Sequence, residues 1–159
     1  MIDHLSKSVH TKRLVITGIS LGGGLACLSY IDIKASGLFD NVEVITFGSP
    51  RVGNKKWASH FNSLVDHTRI YIRRDPIAFL PFCITPLCNY RHTGVPVVCH
   101  YNTEQCVAKD AKKAEDNEGD FGYFMEELKE HEEDEDLNGL LDHIYGYKKI
   151  CKFTLKFKE

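Results

Sequence analysis

Between residues 14 and 73 the apolar positions follow two alternating rhythms. LVITG (14–18), NVEVITF (41–47) and RIYIR (69–73) are short runs rich in β-branched residues, the pattern of strands. The first is apolar enough to be buried on both faces. Between them lies GGGLACLSYIDIKASG, whose small and apolar residues suit a packed helix ending at Gly37. Next comes KKWASHFNSLVDH, where Trp57, Phe61, Leu64 and Val65 share one helical face behind an Asn54 cap. Strand, helix, strand, helix, strand at this spacing predicts a parallel sheet with right-handed crossovers.

After Asp75-Pro76 the rhythm is lost. DPIAFLPFCITPLC is loop-like, and GVPVVCHY predicts a short extended segment demoted towards a sheet edge by Pro96. Residues 109–136 hold 13 acids against four lysines, with Glu132 to Asp136 unbroken, and are expected to form a solvated insertion. In the terminal KFTLKFK, Phe153, Leu155 and Phe157 alternate with polar residues, a strand with one wet face. The whole, 1–159, is expected to be a single domain.

Composition narrows the class. With 159 residues, 43% hydrophobic and 26% charged, the chain has the means for one ordinary core. A net charge of −2 gives no reason to expect nucleic acid as a partner. No apolar run approaches the roughly 18 residues of a membrane span. MIDHLSKSVHTK lacks the apolar stretch of a signal peptide, so the compartment is left unknown, with intracellular as the default. On that default the six cysteines are expected to be free thiols, and without a CxxC pair they suggest no metal.

The sharpest chemistry lies in GISLGGG (18–24), directly after a strand and opening a helix. Gly18, Ser20 and Gly22 fit G-x-S-x-G, in which glycines two residues either side let backbone pass a strained turn. Such a turn lifts the Ser20 hydroxyl clear of the sheet and sets a helix N-terminus beneath it. There the backbone N–H of Leu21 is the natural oxyanion donor. A serine nucleophile needs a base and an orienting acid, in the chain order serine, acid, histidine. Asp75, following the third strand, would reach the same sheet edge, although an Asp-Pro turn alone would also explain it. Of eight histidines, His4 and His10 precede the serine, His60 and His67 lie on or beside the second helix, and His131 lies in the acidic stretch. His92 and His100 sit near the edge segment, and His143 follows in LLDHIYGY. Position alone leaves His143 and His100 in competition.

The segments ITGISLGGGLACL, ITFGSPRVGNKKWA, YIRRDPIAFLP, YRHTGVPV and LLDHIYGY occur in this order and resemble the class 3 lipases, the fungal triacylglycerol-lipase-like family. The resemblance runs from residue 13 to about 147, and FGSPRVGN is its most specific part. It implies a truncated α/β-hydrolase, a mainly parallel sheet flanked by helices, that cleaves carboxylic esters of lipids through an acyl-enzyme without metal or cofactor. It makes Ser20 the nucleophile, Asp75 the acid and His143 the base. Ile19, Phe79, Leu80, Pro81 and Phe82 would line an acyl site, although core packing suits each equally well. Ile19 stands where the family has histidine.

The family pattern also includes earlier strands, a lid helix and a second oxyanion donor ahead of the elbow, where this sequence has residues 1–12. Two expectations follow. Loss of one donor costs roughly 10²–10³ in rate unless another replaces it. LVITG would also have an unpaired edge. The partners expected are a lipid or small ester, a transient lipid interface, and a second copy joined edge to edge. A competing reading is an impaired lipase-like binding module.

Overall fold

The computed structural model describes residues 13–73, 75–81, 89–99, 106–108 and 147. Its first strand, β1 (Arg13–Ile19), feeds helix α1 (Leu21–Ala35), and β2 (Asn41–Phe47) follows. A two-residue strand β3 (Gly53–Asn54) leads into α2 (Lys55–Leu64) and then β4 (Asp66–Ile72). A 3-10 turn spans Ile77–Phe79, and three short strands complete the order: β5 (Tyr90–Arg91), β6 (Val95–Cys99) and β7 (Cys106–Ala108).

Five strands form one sheet in the order β1-β2-β4-β6-β7. The first four run parallel, as the alternation of strand and helix requires, and β7 returns antiparallel to β6. A second, two-stranded sheet pairs β3 with β5. The expected parallel sheet flanked by helices is therefore present, and β2 has the bounds its apolar pattern predicts.

α2 starts where its cap is encoded. Asn54 has extended backbone, and its Oδ1 accepts from the N–H of Trp57 at 2.9 Å, satisfying one of the helix's unpaired donors. Phe61 from this helix is buried with Ala26, Cys27, Tyr30, Val42 and Val44 in one core cluster. The other cluster, on Phe47, Ile70, Ile72, Phe79 and Tyr147, lies under the C-terminal ends of β2 and β4. Leu64 leaves the predicted apolar face of α2 and is exposed.

Three expectations need correction. β1 is not buried on both faces: every second residue is exposed, and among the described residues β2 is its only neighbour. Pro96 does not mark an edge, because β6 lies between β4 and β7. The proline is tolerated because β7 pairs only with Val97, Val98 and Cys99, so no ladder bond on that side needs its missing N–H. Free thiols are not the rule either, since Cys99 and Cys106 form a disulfide directly across the β6–β7 pair. Cys27 is a free, buried thiol. The acidic stretch 109–136 and KFTLKFK lie outside the described residues.

Candidate active site

Parallel pairing brings the C-terminal ends of β1, β2 and β4 to one edge of the sheet. Ser20 leaves β1 there, Gly48 and Ser49 leave β2, and Asp75 follows β4. Two strand spacings separate the first from the last, about 10 Å of backbone, a gap that an imidazole can bridge.

Ser20 is the one non-glycine residue with positive φ among the described residues, at φ 55° and ψ −130°. Such a conformation costs about 1–3 kcal/mol and persists only where neighbours enforce it. Here the Ser20 N–H donates to the Phe47 carbonyl at 2.8 Å, and its own carbonyl accepts from the Gly23 N–H at 2.9 Å. A serine at a helix N-cap ordinarily has extended backbone and bonds the first turn through its hydroxyl. Ser20 stands at the N-cap of α1 and makes no such bond.

The glycines act differently from the motif's simple reading. A Cβ on Gly18 would lie 2.1 Å from the Gly22 carbonyl oxygen, so this position excludes any side chain. Gly22 itself has open space, whereas a Cβ on Gly23 would meet the Ser49 Cβ at 2.7 Å. The second steric requirement thus falls one residue later, where α1 lies against the segment after β2.

Asp75 is 5% exposed, and each of its carboxylate oxygens has a donor. Oδ1 accepts from the Ile77 N–H at 2.9 Å, the local turn that Asp-Pro suggests. Oδ2 accepts from the Tyr147 hydroxyl at 2.6 Å. Its loop is also held from the far side: the Arg51 guanidinium donates to the carbonyls of Phe79 at 2.5 Å and Pro81 at 2.6 Å. His92 Nε2 meets the Ala78 carbonyl at 2.6 Å.

Those contacts give two strings that carry the family resemblance a physical task, since Arg51 lies in FGSPRVGN and His92 in YRHTGVPV. Neither was identifiable beforehand, because their partners are backbone carbonyls in a loop with no periodic pattern. His92 is committed elsewhere: its Nε2 is engaged by the Ala78 carbonyl, and burial, then the Arg69 charge, hold it well below its ordinary value and so a weak base. His67 is buried too, with Nε2 3.0 Å from Thr46 Oγ1, and burial above all lowers it to about 3. Burial raises the Cys27 thiol to about 11, so it is no second nucleophile at neutral pH.

Of the expected acyl-site residues, Ile19 and Leu80 are exposed and Pro81 is exposed beside them. Phe79 is in the core, edge-on to Tyr71. Leu21 opens α1, its N–H among the four that a helix leaves without internal partners. Phe82, His100 and His143 lie outside the described residues. A polar cleft of about 540 Å³ lies at the opposite end of β2 and β4, between Asn41, Glu43 and Asp66, remote from Ser20.

Comparison with known proteins bears on the family and the fold. A family model described as lipase (class 3) matches residues 1–85. The chain is 35% identical over 77 residues to a secreted mono- and diacylglycerol lipase of Gibberella zeae, covering 42% of this chain and 19% of that protein. It is 39% identical over 75 residues to a lipase of Caenorhabditis elegans, covering 45% and 21%. The matched segment thus spans about a fifth of the length of these relatives. Among solved structures, it is similar to a triacylglycerol lipase whose catalytic centre is a serine-protease triad, with 27% identity and a TM-score of 0.58. That match covers 67% of this chain and 40% of the other. The fold is that of part of an α/β-hydrolase.

Proposed function

Since the chain belongs to the class 3 lipase family, we propose that it carries the catalytic half of a serine hydrolase acting on carboxylic esters of lipids. The observation that carries this reading is Ser20: a serine held at φ 55° on a helix N-terminus that it does not cap. Local stability would favour extended backbone and a capping bond. Their absence is accounted for by a hydroxyl presented to a substrate instead.

In this mechanism Ser20 Oγ attacks the ester carbonyl while His143 takes its proton, and the Leu21 N–H stabilises the oxyanion. Asp75 holds the imidazole in the required tautomer. Collapse of the tetrahedral adduct returns the proton to the leaving alcohol and leaves the acyl group on Ser20, from which water releases it by the same steps. Ile19 and Leu80, exposed near the elbow and the acid loop, would contact the acyl chain. The mono- and diacylglycerol lipase among the relatives supports acylglycerols as the substrate class. The Cys99–Cys106 disulfide, with the secreted relative, supports an oxidising compartment over the intracellular default.

Labelling with a fluorophosphonate probe tests this without assuming an acyl length. We expect wild type to label, Ser20→Ala and His143→Ala to lose labelling, and His100→Ala to keep it. Well-folded wild type that fails to label would overturn the assignment for this chain.

A further inference from the structure

We propose that Tyr147 is the positioning residue of the acid, holding the Asp75 carboxylate in a fixed orientation and anchoring it to the end of β4. The proposal rests on the hydrolase reading above and adds a residue to it. Tyr147 has no exposed surface, and its ring packs edge-on to Phe47 at 6.5 Å. Its hydroxyl accepts from the Ile72 N–H at 2.8 Å and donates to Asp75 Oδ2 at 2.6 Å. With a backbone donor on its oxygen, the hydroxyl directs its own proton to the carboxylate.

Ile72 closes the loop from the other side, its carbonyl accepting from the Asp75 N–H at 3.1 Å. Carboxylate, hydroxyl and strand end therefore form a small ring of hydrogen bonds. The Ile77 N–H on Oδ1 adds a second fixed point, so the plane of the carboxylate is determined by two donors. Charge-assisted bonds of this kind are among the stronger and shorter ones. Burial first, and then the Asp75 charge, keep the Tyr147 hydroxyl well above its ordinary value, so it remains a donor throughout the working pH range.

Tyr147 also links acid and base along the chain, since LLDHIYGY carries both it and His143, four residues apart. Four residues span at most about 14 Å.

The test compares kcat, KM and the pH profile for p-nitrophenyl butyrate in wild type, Asp75→Asn and Tyr147→Phe. Tyr147→Phe should lower kcat about tenfold with KM within twofold, whereas Asp75→Asn should remove nearly all activity. Without the tyrosine donor the carboxylate's charge is less shared and stabilises the imidazolium more. The acid limb of the Tyr147→Phe profile should therefore move to higher pH, a shift that loss of packing alone would not produce. Placing 3-fluorotyrosine at 147 keeps ring and hydroxyl, strengthens the donor, and should move the limb the other way; this arm holds even if Tyr147→Phe fails to fold. Active wild type with Tyr147→Phe and the 3-fluorotyrosine protein both unchanged in kcat and pH profile, while Asp75→Asn is inactive, would overturn the role of Tyr147 alone. Wild type with neither turnover nor fluorophosphonate labelling would overturn the hydrolase reading, and this proposal with it.

Discussion

The two sides of the candidate catalytic edge are built by different means. On the Ser20 side, β1 and α1 make a turn whose own residues lie within six positions, Gly18 to Gly23, with outside partners in Phe47 and Ser49 at the end of the neighbouring strand β2. Around it Val15, Ile19, Leu21, Leu25 and Leu28 are exposed, two of them by more than half their surface. On the acid side, Asp75 is buried and its loop is held by Arg51, His92 and Tyr147, from three distant parts of the chain. A strained turn can be specified mostly by adjacent residues, with one neighbouring strand end to hold it. A loop that must present a buried carboxylate cannot, because every polar atom it buries needs a partner.

The most damaging way to break the contrast is to fill the space that the turn requires. Gly18→Val puts atoms into the Gly22 carbonyl, so we expect a loss of at least about 3 kcal/mol in thermal unfolding. Fluorophosphonate labelling should slow by more than about 100-fold, because a displacement near 1 Å at the nucleophile is enough for that. Retained labelling would mean that the turn does not depend on this glycine.

Acid should strain the buried side next. His67 is neutral in the folded chain and lowered to about 3, while its unfolded value is near 6.5. Its contribution to stability is complete above pH 6.5. It is lost as the pH falls towards 3, because only the unfolded chain takes up the proton in that window. From pH 7 to pH 5 this amounts to about 2 kcal/mol. His67→Gln should flatten a denaturant-melt profile over that range by a similar amount, and an unaltered slope would count against a buried neutral ring.

The smallest effect belongs to the exposed flank. Leu25→Glu should change unfolding free energy by no more than about 0.5 kcal/mol, since the side chain is 57% exposed. A loss several times larger would show that this face is covered in the working protein, by a second copy or by another segment, and would narrow the contrast between the sides.

What could be read from the sequence divides along the same line. β2, the Asn54 cap and the elbow at Ser20 were legible because each is specified by a few adjacent residues: β-branched runs, a side-chain acceptor before a helix, glycines about a serine. Asp75 was placed by chain order. Arg51, His92 and Tyr147 were not seen, because their partners are 28, 14 and 72 residues away and a hydrogen bond across such separations leaves no period in the sequence. The β3–β5 pair was missed for the same reason, whereas the Cys99–Cys106 bridge was missed because an intracellular default made free thiols the expectation. Pro96 was misplaced because edge or interior depends on how far the neighbouring strand extends, which β6 alone does not encode.

The segment from Ser49 to Asn54 touches both sides. Ser49 abuts Gly23 of the nucleophile helix, Arg51 grips the acid loop through Phe79 and Pro81, and Asn54 starts α2 while pairing with Tyr90. Ser20 and Asp75 are therefore both registered to one short stretch of backbone. A shift of that stretch would displace the Ser20 turn and the Asp75 loop together. Substitutions within the stretch should for the same reason be strongly non-additive, because each disturbs a reference that the others share.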